Sequence, residues 1–456
     1  MTDVFWTLDR LAQALTPRAA NRLPTGAALV RAISTDTRAI TSGDCFVALA
    51  GDRFDAHEFV GDAVARGAGS LVVSNPARAR ATGVPVYTVD DTQAALGALA
   101  HYRRRAWNGP IIGVGGSNGK TTTKEFLRAA LDSVLTVHAT SANLNNLVGV
   151  PLTLLALPDS ADVAVVEMGI NVPGEMERLN RIVEPDIALF TCLAEEHLEG
   201  LGDMDGVLRE ESFLFDGAQL AIVPAAQPEV ARAAHGRARR VISAGLEAGD
   251  VRAARWGLDD DGHGWLEVDG VTIRPPVRGA HTLRNVMLAL AAARECGVGV
   301  ADAAHGLESA VIPGMRLAWE TLGAATLIND AYNASPASMR AALDLLDGLD
   351  AGHQRVAVLG TMLELGTHAS RLHADVARYA LASSIDVVAG LGELGDALRA
   401  AANGADSERV ITAPDIDGLW AALEPRLEPD ATILLKASRG VRLERLVPLL
   451  TGWARR

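Results

Sequence analysis

Short apolar runs bounded by glycine, proline or aspartate alternate along this chain with longer helical stretches. The runs have the length and neighbours of strands buried on both faces, and the stretches between them have those of covering helices. Up to about residue 107, Phe46–Ala50, Ser70–Ser74 and Pro85–Val89 read as strands, and Ala56–Arg66 and Thr92–Arg105 as helices. Asn108, Gly109 and Pro110 mark a break. The stretch from 108 to 313 opens with a strand over Ile111–Val114, a glycine-rich turn and a helix from Thr121 to Val134. Leu135–His138, Val163–Glu167, Ile187–Cys192 and Leu220–Val223 are further strand candidates, and His281–Arg294 is an Ala/Leu-rich helix. Asp250–Pro276, rich in Gly and Asp, reads as a small antiparallel insertion.

Pro313–Gly314 gives the next boundary. From 314 to 456 the alternation repeats, with strands at Ala325–Ile328, Arg355–Leu359, Asp386–Ala389, Arg409–Thr412 and Thr432–Leu435. Ser338–Leu349 and His368–Ser383 are the helices between them. The expected fold class is α/β. Three domains are expected, over 1–107, 108–313 and 314–456, the second and third built on parallel sheets covered on both faces.

Composition narrows the function without naming it. The 456 residues fit roughly three domains of ordinary size. Hydrophobic residues at 49% and charged residues at 21% exclude wholesale disorder. A net charge of −14 disfavours nucleic-acid binding, which needs Lys and Arg to displace counterions. It leaves room for one small anion at a local basic site. No apolar run reaches the roughly 18–20 residues of a membrane helix. Met1–Arg10 carries Asp3 and Asp9 and has no basic start, so a secretory signal is not expected. Cys45, Cys192 and Cys296 are scattered, which suggests neither a disulfide framework nor a thiolate metal site, and points to a reducing cytoplasm.

The stretch with the most chemistry is Gly113 to Thr123, which holds G-x-x-G-K-T between a strand and a helix. Glycines let backbone N–H groups turn inward around phosphate oxygens, and the helix N-terminus adds partial positive charge. Lys120 can reach terminal phosphates, and the Thr121 hydroxyl can reach Mg²⁺. The strict eight-residue pattern is not met, because its first position falls on Val114. An ordinary glycine-rich turn is the alternative.

Gly116–Glu125, GSNGKTTTKE, resembles the ATP loop of the Mur ligases, and of their MurF branch in particular. The resemblance continues in order through NLNNLVGVPLTLL at Asn143–Leu155, VVEMG at Val165–Gly169, HLEG at His197–Gly200 and GAHTLRN at Gly279–Asn285. It runs on through DAYNASPASMRAAL at Asp330–Leu343, VLGTMLELG at Val358–Gly366 and KASR at Lys436–Arg439. TDTR at Thr35–Arg38 and GDCFVALAG at Gly43–Gly51 extend it towards the start. The resemblance implies a first domain for the UDP end of a sugar nucleotide, a central domain for ATP and a Rossmann-like lid. It implies that ATP and Mg²⁺ activate the carboxylate of a UDP-MurNAc-tripeptide as an acyl phosphate, which the amine of D-Ala-D-Ala then attacks. A cytoplasmic monomer is expected, with neither a nucleic-acid partner nor an integral membrane segment.

By the same resemblance Gly115, Gly116, Ser117, Asn118, Gly119, Lys120, Thr121 and Thr122 bind ATP phosphates, and Glu167 and His197 join Thr121 around Mg²⁺. Glu167 ends a predicted parallel strand, where ligands of open α/β sheets gather, or else is a surface carboxylate. His197 would be structural without its HLEG context. Asn145 and Asn146 lie near the reacting groups or form an Asx-turn before the next helix. His281 and Asn285, four apart on one helix face, lie near adenine or are buried structural groups. Arg316 is the lid arginine for the γ-phosphate, although Met315 separates it from Gly314 where the family has Gly-Arg. Asp330, Tyr332 and Asn333 face the nucleotide. Lys436, Ser438 and Arg439 line the closed cleft or form a solvated basic turn. Ser34, Thr35, Asp36 and Arg38 form a turn for uracil or diphosphate. Arg103–Arg105 reads as a solvated helix end.

Two positions depart from the family. Most members carry a carbamylated lysine fourteen residues after the HLEG histidine, and Glu211 stands there. A fixed carboxylate could replace the carbamate as a possible metal ligand, or the second metal site could be relocated. Thr361 stands where the family has an acidic residue. The competing functions are a sister Mur or folylpolyglutamate-type ligase that adds one amino acid, and a non-catalytic nucleotide-binding module.

Overall fold

The computed structural model describes residues 4–16, 23–51, 54–80, 82–349, 352–404 and 406–456. Met1, Thr2 and Asp3 of the opening segment lie outside the described residues. The chain forms two compact units. One comprises Met1–Ile111, His138–Met168 and Glu177–Pro185; the other comprises Ile112–Val137, Gly169–Met176 and Asp186–Arg456.

In the first unit, the strands Ile33–Ser34, Cys45–Val47, Ser70–Val73 and Val86–Thr88 pair in parallel in that order. Successive side chains of a strand point to opposite faces. Cys45, Val47 and Val72 pack with Leu11, Leu15, Leu96 and Leu99 of two helices, Leu8–Leu15 and Thr92–Trp107. Phe46, Leu71 and Val73 pack on the other face with Ala56, Val60 and Ala63. The expected helix Ala56–Arg66 starts as a 3-10 turn, Ala56–Phe59, which the Asp55 carboxylate caps through the His57 N–H. Asp91 caps the long helix at its start, and Asn108 closes it in the left-handed conformation.

The arginines at the end of that helix correct the sequence reading. Arg103 and Arg104 are 4% and 6% exposed, not solvated. Arg104 donates to the carbonyls of Val183, Gly109 and Glu184 at 2.9–3.0 Å. Arg103 donates to Leu157 O and Asp159, and stacks over Phe5. A buried guanidinium satisfied by chain carbonyls ties distant segments together. Only Arg105 is exposed, paired with Glu184 at 3.0 Å.

The second unit holds two large sheets and a small antiparallel one. Ile111–Gly115, Ile187–Phe190, Leu220–Pro224, Arg240–Gly245 and Val251–Arg252 run parallel in that order. The expected insertion is present as an antiparallel sheet of Arg255–Leu258, Gly264–Val268 and Val271–Ile273. Its second hairpin turns at Asp269–Gly270, both at positive φ, which matches the right-handed strand twist.

The other sheet has the order Ala318–Leu322, Ala325–Asp330, Thr432–Lys436, Arg355–Leu359, Val387–Leu391, Val410–Ala413. All its pairs are parallel except the first. One face, with Leu327, Val356, Val358, Ile433 and Leu435, is covered by Leu419, Leu423, Leu446 and Leu450. The helices Pro336–Asp347 and Ala369–Ala382 pack together beside it, within one residue or two of the expected ranges at most ends. Ala318–Leu322 was not anticipated. It is an antiparallel edge strand whose exposed Glu320 and Thr321 give no apolar run.

Candidate active site

The strand Ile111–Gly115 is buried throughout and delivers the chain to a turn at Gly116 to Gly119, from which the helix Lys120–Asp132 departs. Gly116 has φ +108° and Gly119 φ +80°, conformations that a Cβ would strain. A Cβ on Gly116 would stand 2.5 Å from Thr191 Oγ1, and one on Gly119 would stand 2.8 Å from Asn285 Nδ2. The neighbouring strand end fixes the loop from one side. Ser117 N–H donates to Cys192 O at 2.8 Å, the Thr191 hydroxyl reaches Asn118 O at 2.6 Å, and Ala194 N–H donates to Ser117 Oγ at 2.9 Å. Lys120 folds over the loop, its Nζ donating to Gly116 O at 2.6 Å and Ser117 O at 3.0 Å.

Glu211 ends the helix Met204–Glu211 and is 2% exposed. Its Oε2 accepts the Gly116 N–H at 3.0 Å. Burial raises its pKa, against the opposing pull of the Lys120 charge and the Gly116 hydrogen bond. One carboxylate oxygen is therefore committed to holding the loop.

The C-terminal sheet brings a second set of groups to the same loop. Arg316 Nη2 lies 3.2 Å from Thr121 Oγ1, and its guanidinium stacks over the Tyr332 ring at 3.6 Å. Met315 and Leu317 on either side both have positive φ, at 60° and 51°. Hydrogen bonds from Tyr332 N–H to Met315 O and from Leu317 N–H to Asp330 Oδ1, each 3.1 Å, hold that unusual backbone. Asn118 Nδ2 donates to Ser335 Oγ at 2.9 Å. Lys436 Nζ binds Asp330 Oδ2 at 2.5 Å and Asn333 O at 3.2 Å, and is 2% exposed. It is thus a buried ion-pair partner and not part of a solvated basic turn. Ser438 Oγ accepts from Leu363 N–H at 2.9 Å, while Arg439 pairs with Glu444 at 3.0 Å.

His197, at φ +56°, begins the short helix Leu198–Leu201. Its Nδ1 meets Glu364 Oε2 at 2.5 Å, and its Nε2 lies 3.6 Å from Glu196 Oε1. Burial works against the charged ring, but the Glu364 hydrogen bond and the Glu196 charge prevail and raise its pKa. Glu196 also accepts from Asn333 Nδ2 at 3.0 Å. Glu196, Ser335, Glu364 and Thr191 were missed by the sequence reading. Only Glu196 offered a signal, as a second acid directly before the singled-out histidine.

His281 and Asn285 lie on the helix Ala280–Glu295, and Asn285 abuts the phosphate loop at Gly119. Burial, helped by the charges of Lys436 and Arg284, pushes the His281 pKa down to about 4. The folded state therefore resists a proton that the unfolded chain accepts near 6.5. Stability from this source is complete above that value and falls as pH drops towards 4. Thermal unfolding of wild type and His281→Gln should diverge between pH 6.5 and 4, the wild type losing more; parallel curves would contradict the assignment. Farther along the same helix, Arg284 and Leu288 border a 220 Å³ cavity with Pro224, Ala225, Ala226 and Leu246.

In the first unit, Asn145 Nδ2 donates to Glu167 Oε1 at 2.7 Å, and Glu167 N–H donates to Thr140 Oγ1 at 2.9 Å. Glu167 is 1% exposed, so it is no surface carboxylate. Asn146 Oδ1 accepts the N–H groups of Val148 and Gly149, the Asx-turn alternative, ahead of the helix Gly149–Leu155. Ser34, Thr35, Asp36 and Arg38 share one turn. Ser34 Oγ bonds Asp36 and Arg38 grips the Asp36 carboxylate, whose pKa falls to about 2.

Among the described residues no group of three or more His, Cys, Asp and Glu is arranged to hold a metal ion. Mg²⁺ needs no such cage, since one or two oxygen ligands, water and phosphate suffice. The Thr121 hydroxyl in the second unit and, separately, the buried Glu167 carboxylate in the first are each an oxygen donor of that kind.

Three family segments match the chain: "Mur ligase family, catalytic domain" at residues 29–104, "Mur ligase middle domain" at 114–293, and "Mur ligase, glutamate ligase domain" at 315–439. The UDP-N-acetylmuramoyl-tripeptide–D-alanyl-D-alanine ligase of Bacillus subtilis is 34% identical, over 92% of this chain and 93% of its own. The ligase of the same name from Escherichia coli is 33% identical, again over 92% and 93%. The crystal structure of MurF from Acinetobacter baumannii superposes with a TM-score of 0.88 at 32% identity, covering 98% of this chain and 99% of that one. With the phosphate loop, the sheets and the similarity extending over nearly the whole length, the chain belongs to the Mur ligase family, in its MurF branch.

Proposed function

We infer that this chain is an ATP-dependent ligase that joins D-alanyl-D-alanine to UDP-MurNAc-tripeptide in peptidoglycan synthesis. The observation that carries the reading is the meeting of Lys120, Thr121 and Arg316 at one phosphate loop, within a chain similar end to end to ligases of that name. A carboxylate is a poor electrophile, so it must gain a leaving group. One of its oxygens attacks the γ-phosphorus and ADP departs; the amine then attacks the acyl carbon and phosphate leaves. Lys120 and Arg316 offset charge as the phosphoryl group moves between two anions. The reading takes residues 1–107 for the UDP end, 108–313 for ATP and 314–456 for the lid, which the three matching segments support.

In the second unit Thr121 and His197 would hold Mg²⁺, which supplies charge neutralisation at the phosphates when bound, and in the first unit Glu167 is the carboxylate that the family resemblance gives to metal binding. Asn145 would orient Glu167 through their 2.7 Å hydrogen bond. The cavity beside Arg284 and Leu288 suits the adenine ring, with Asn285 at the loop and His281 neutral nearby. ATP and a UDP-sugar substrate place the reaction in the cytoplasm. No helix among the described residues is long and apolar enough to cross a membrane.

The test supplies ATP, Mg²⁺ and UDP-MurNAc-tripeptide with either D-Ala-D-Ala or single amino acids. Phosphate release with the dipeptide is expected. Release only with single amino acids would instead identify a sister ligase. Absence of release with every acceptor would indicate the non-catalytic module.

Glu211 gives a separate prediction. A glutamine can still accept the Gly116 N–H, whereas alanine leaves that buried donor unmet at a cost of about 1–3 kcal/mol. Glu211→Gln should keep thermal stability near wild type, and Glu211→Ala should lower it. If the Glu211 charge also serves the metal, both variants should need several-fold more Mg²⁺, and activity should be indifferent to bicarbonate. Unchanged Mg²⁺ titrations in both would leave Glu211 a loop-holding group alone.

A further inference from the structure

His197 Nδ1 and Glu364 Oε2 stand 2.5 Å apart, and both residues take the left-handed backbone conformation, at φ +56° and +63°. Side chains other than glycine disfavour it, because Cβ crowds the backbone. Two such residues in one contact mark a place where the fold holds local strain in order to aim side chains. The pair adds little stability in return, since the Glu364 side chain is 55% exposed. The turn that carries Glu364 is itself anchored. Met362 N–H donates to His373 Nε2 and Leu363 N–H to Ser438 Oγ, each at 2.9 Å. The same turn docks on the segment that carries His197. Glu199 N–H donates to Glu364 O at 3.0 Å, and His368 Nε2 lies 2.9 Å from Gly202 O. A Cβ on Gly366, at φ +54°, would stand 2.9 Å from Glu199 Cα. Turn 364–368 and segment 197–202 therefore meet backbone against backbone.

We propose that Glu364 is a positioning residue for His197. Its carboxylate accepts the Nδ1–H, which fixes the imidazole as the Nδ1-protonated tautomer and holds the plane of the ring. Nε2 then keeps its lone pair, and it is the nitrogen turned towards Glu196, 3.6 Å away. A histidine that serves a metal ion commonly donates its other ring N–H to a carboxylate, which sets the tautomer and raises the basicity of the ligating nitrogen. The proposal rests on the reading above, in which His197 serves Mg²⁺. Glu364 follows the strand Arg355–Leu359 of the last sheet, and His197 follows Ile187–Phe190 on the phosphate-loop side. The ring is therefore set only while turn 364–368 is docked.

The test compares wild type, Glu364→Gln, Glu364→Gly and His197→Gln, each as the full chain. Imidazole nitrogen NMR spectra of metal-free, isotope-labelled protein at about pH 9, well above the ordinary histidine value, show which ring nitrogen carries the proton. The His197 signals, assigned by their loss in His197→Gln, should report Nδ1–H and a bare Nε2 in wild type. Glu364→Gln should match it, because its amide oxygen still accepts, whereas Glu364→Gly should give a mixture of tautomers. Glu364→Gly should also melt no lower than wild type, because glycine relieves the left-handed strain. It should nevertheless need about ten-fold more Mg²⁺ for phosphate release, with KM for UDP-MurNAc-tripeptide within about two-fold. Glu364→Gln should recover most of that difference. A purely structural role predicts the reverse, a lower melting temperature with the wild-type tautomer, and that result overturns the proposal. Wild-type Mg²⁺ dependence in a folded Glu364→Gly protein overturns it as well. If wild type releases no phosphate with any acceptor, the ligase reading fails, and the tautomer in Glu364→Gly then decides the positioning role by itself.

Discussion

Lys120→Ala should lower turnover by on the order of 10³-fold, equivalent to about 4 kcal/mol of transition-state stabilisation. The ammonium already bridges Gly116 O and Ser117 O, so it is poised over the loop before phosphate arrives. Its removal takes away the ammonium held at the loop carbonyls, whereas Arg316 reaches the loop from the C-terminal sheet. Lys120→Arg should recover little, since a planar guanidinium cannot occupy a pocket shaped for a compact ammonium. The measurement is phosphate release with both substrates, alongside thermal unfolding to verify the fold. Turnover within ten-fold of wild type in a folded Lys120→Ala protein would remove the loop from the chemistry.

Arg316→Ala is expected to reduce kcat by about 10²–10³-fold while KM for ATP moves far less, the signature of an interaction that matures in the transition state. The molecule invests structure in this side chain. Two left-handed non-glycine residues flank it, each costing roughly 1–2 kcal/mol, and the Tyr332 ring carries its guanidinium. Tyr332→Ala should give a smaller loss, about five-fold, as a cation–π contact is worth about 1 kcal/mol. A raised KM for ATP with kcat unchanged in Arg316→Ala, in steady-state kinetics, would make the arginine a ground-state binding group instead.

Met315 stands between Gly314 and Arg316, where the family has Gly-Arg, and the backbone there takes an unusual course. Met315 and Leu317 both take positive φ, and this turns Arg316 towards Thr121. No local pattern signals that conformation, because neither residue favours it and the bonds to Tyr332 N–H and Asp330 that hold it come from elsewhere in the chain.

Strands buried on both faces leave a mark that single-residue spacing preserves. Val163–Glu167 and Arg355–Leu359 match their expected ranges because each is an apolar run with no polar interruption before its end. The phosphate loop was equally legible, since glycines, a lysine and a helix start lie within a dozen residues. Ala318–Leu322 was not, because an edge strand half open to water carries no such run.

Sequence by itself determined the α/β class, the family and the loop that handles phosphate, because each is written in contiguous residues whose types have few other uses. Tertiary structure decided which charges are buried and what they meet. Arg104 is hydrogen-bonded by carbonyls up to 80 positions away, Glu196 meets Asn333 across 137, and His197 meets Glu364 across 167. Ion pairs and buried hydrogen bonds depend on distance in space and on exclusion of water, and neither is encoded in spacing along the chain.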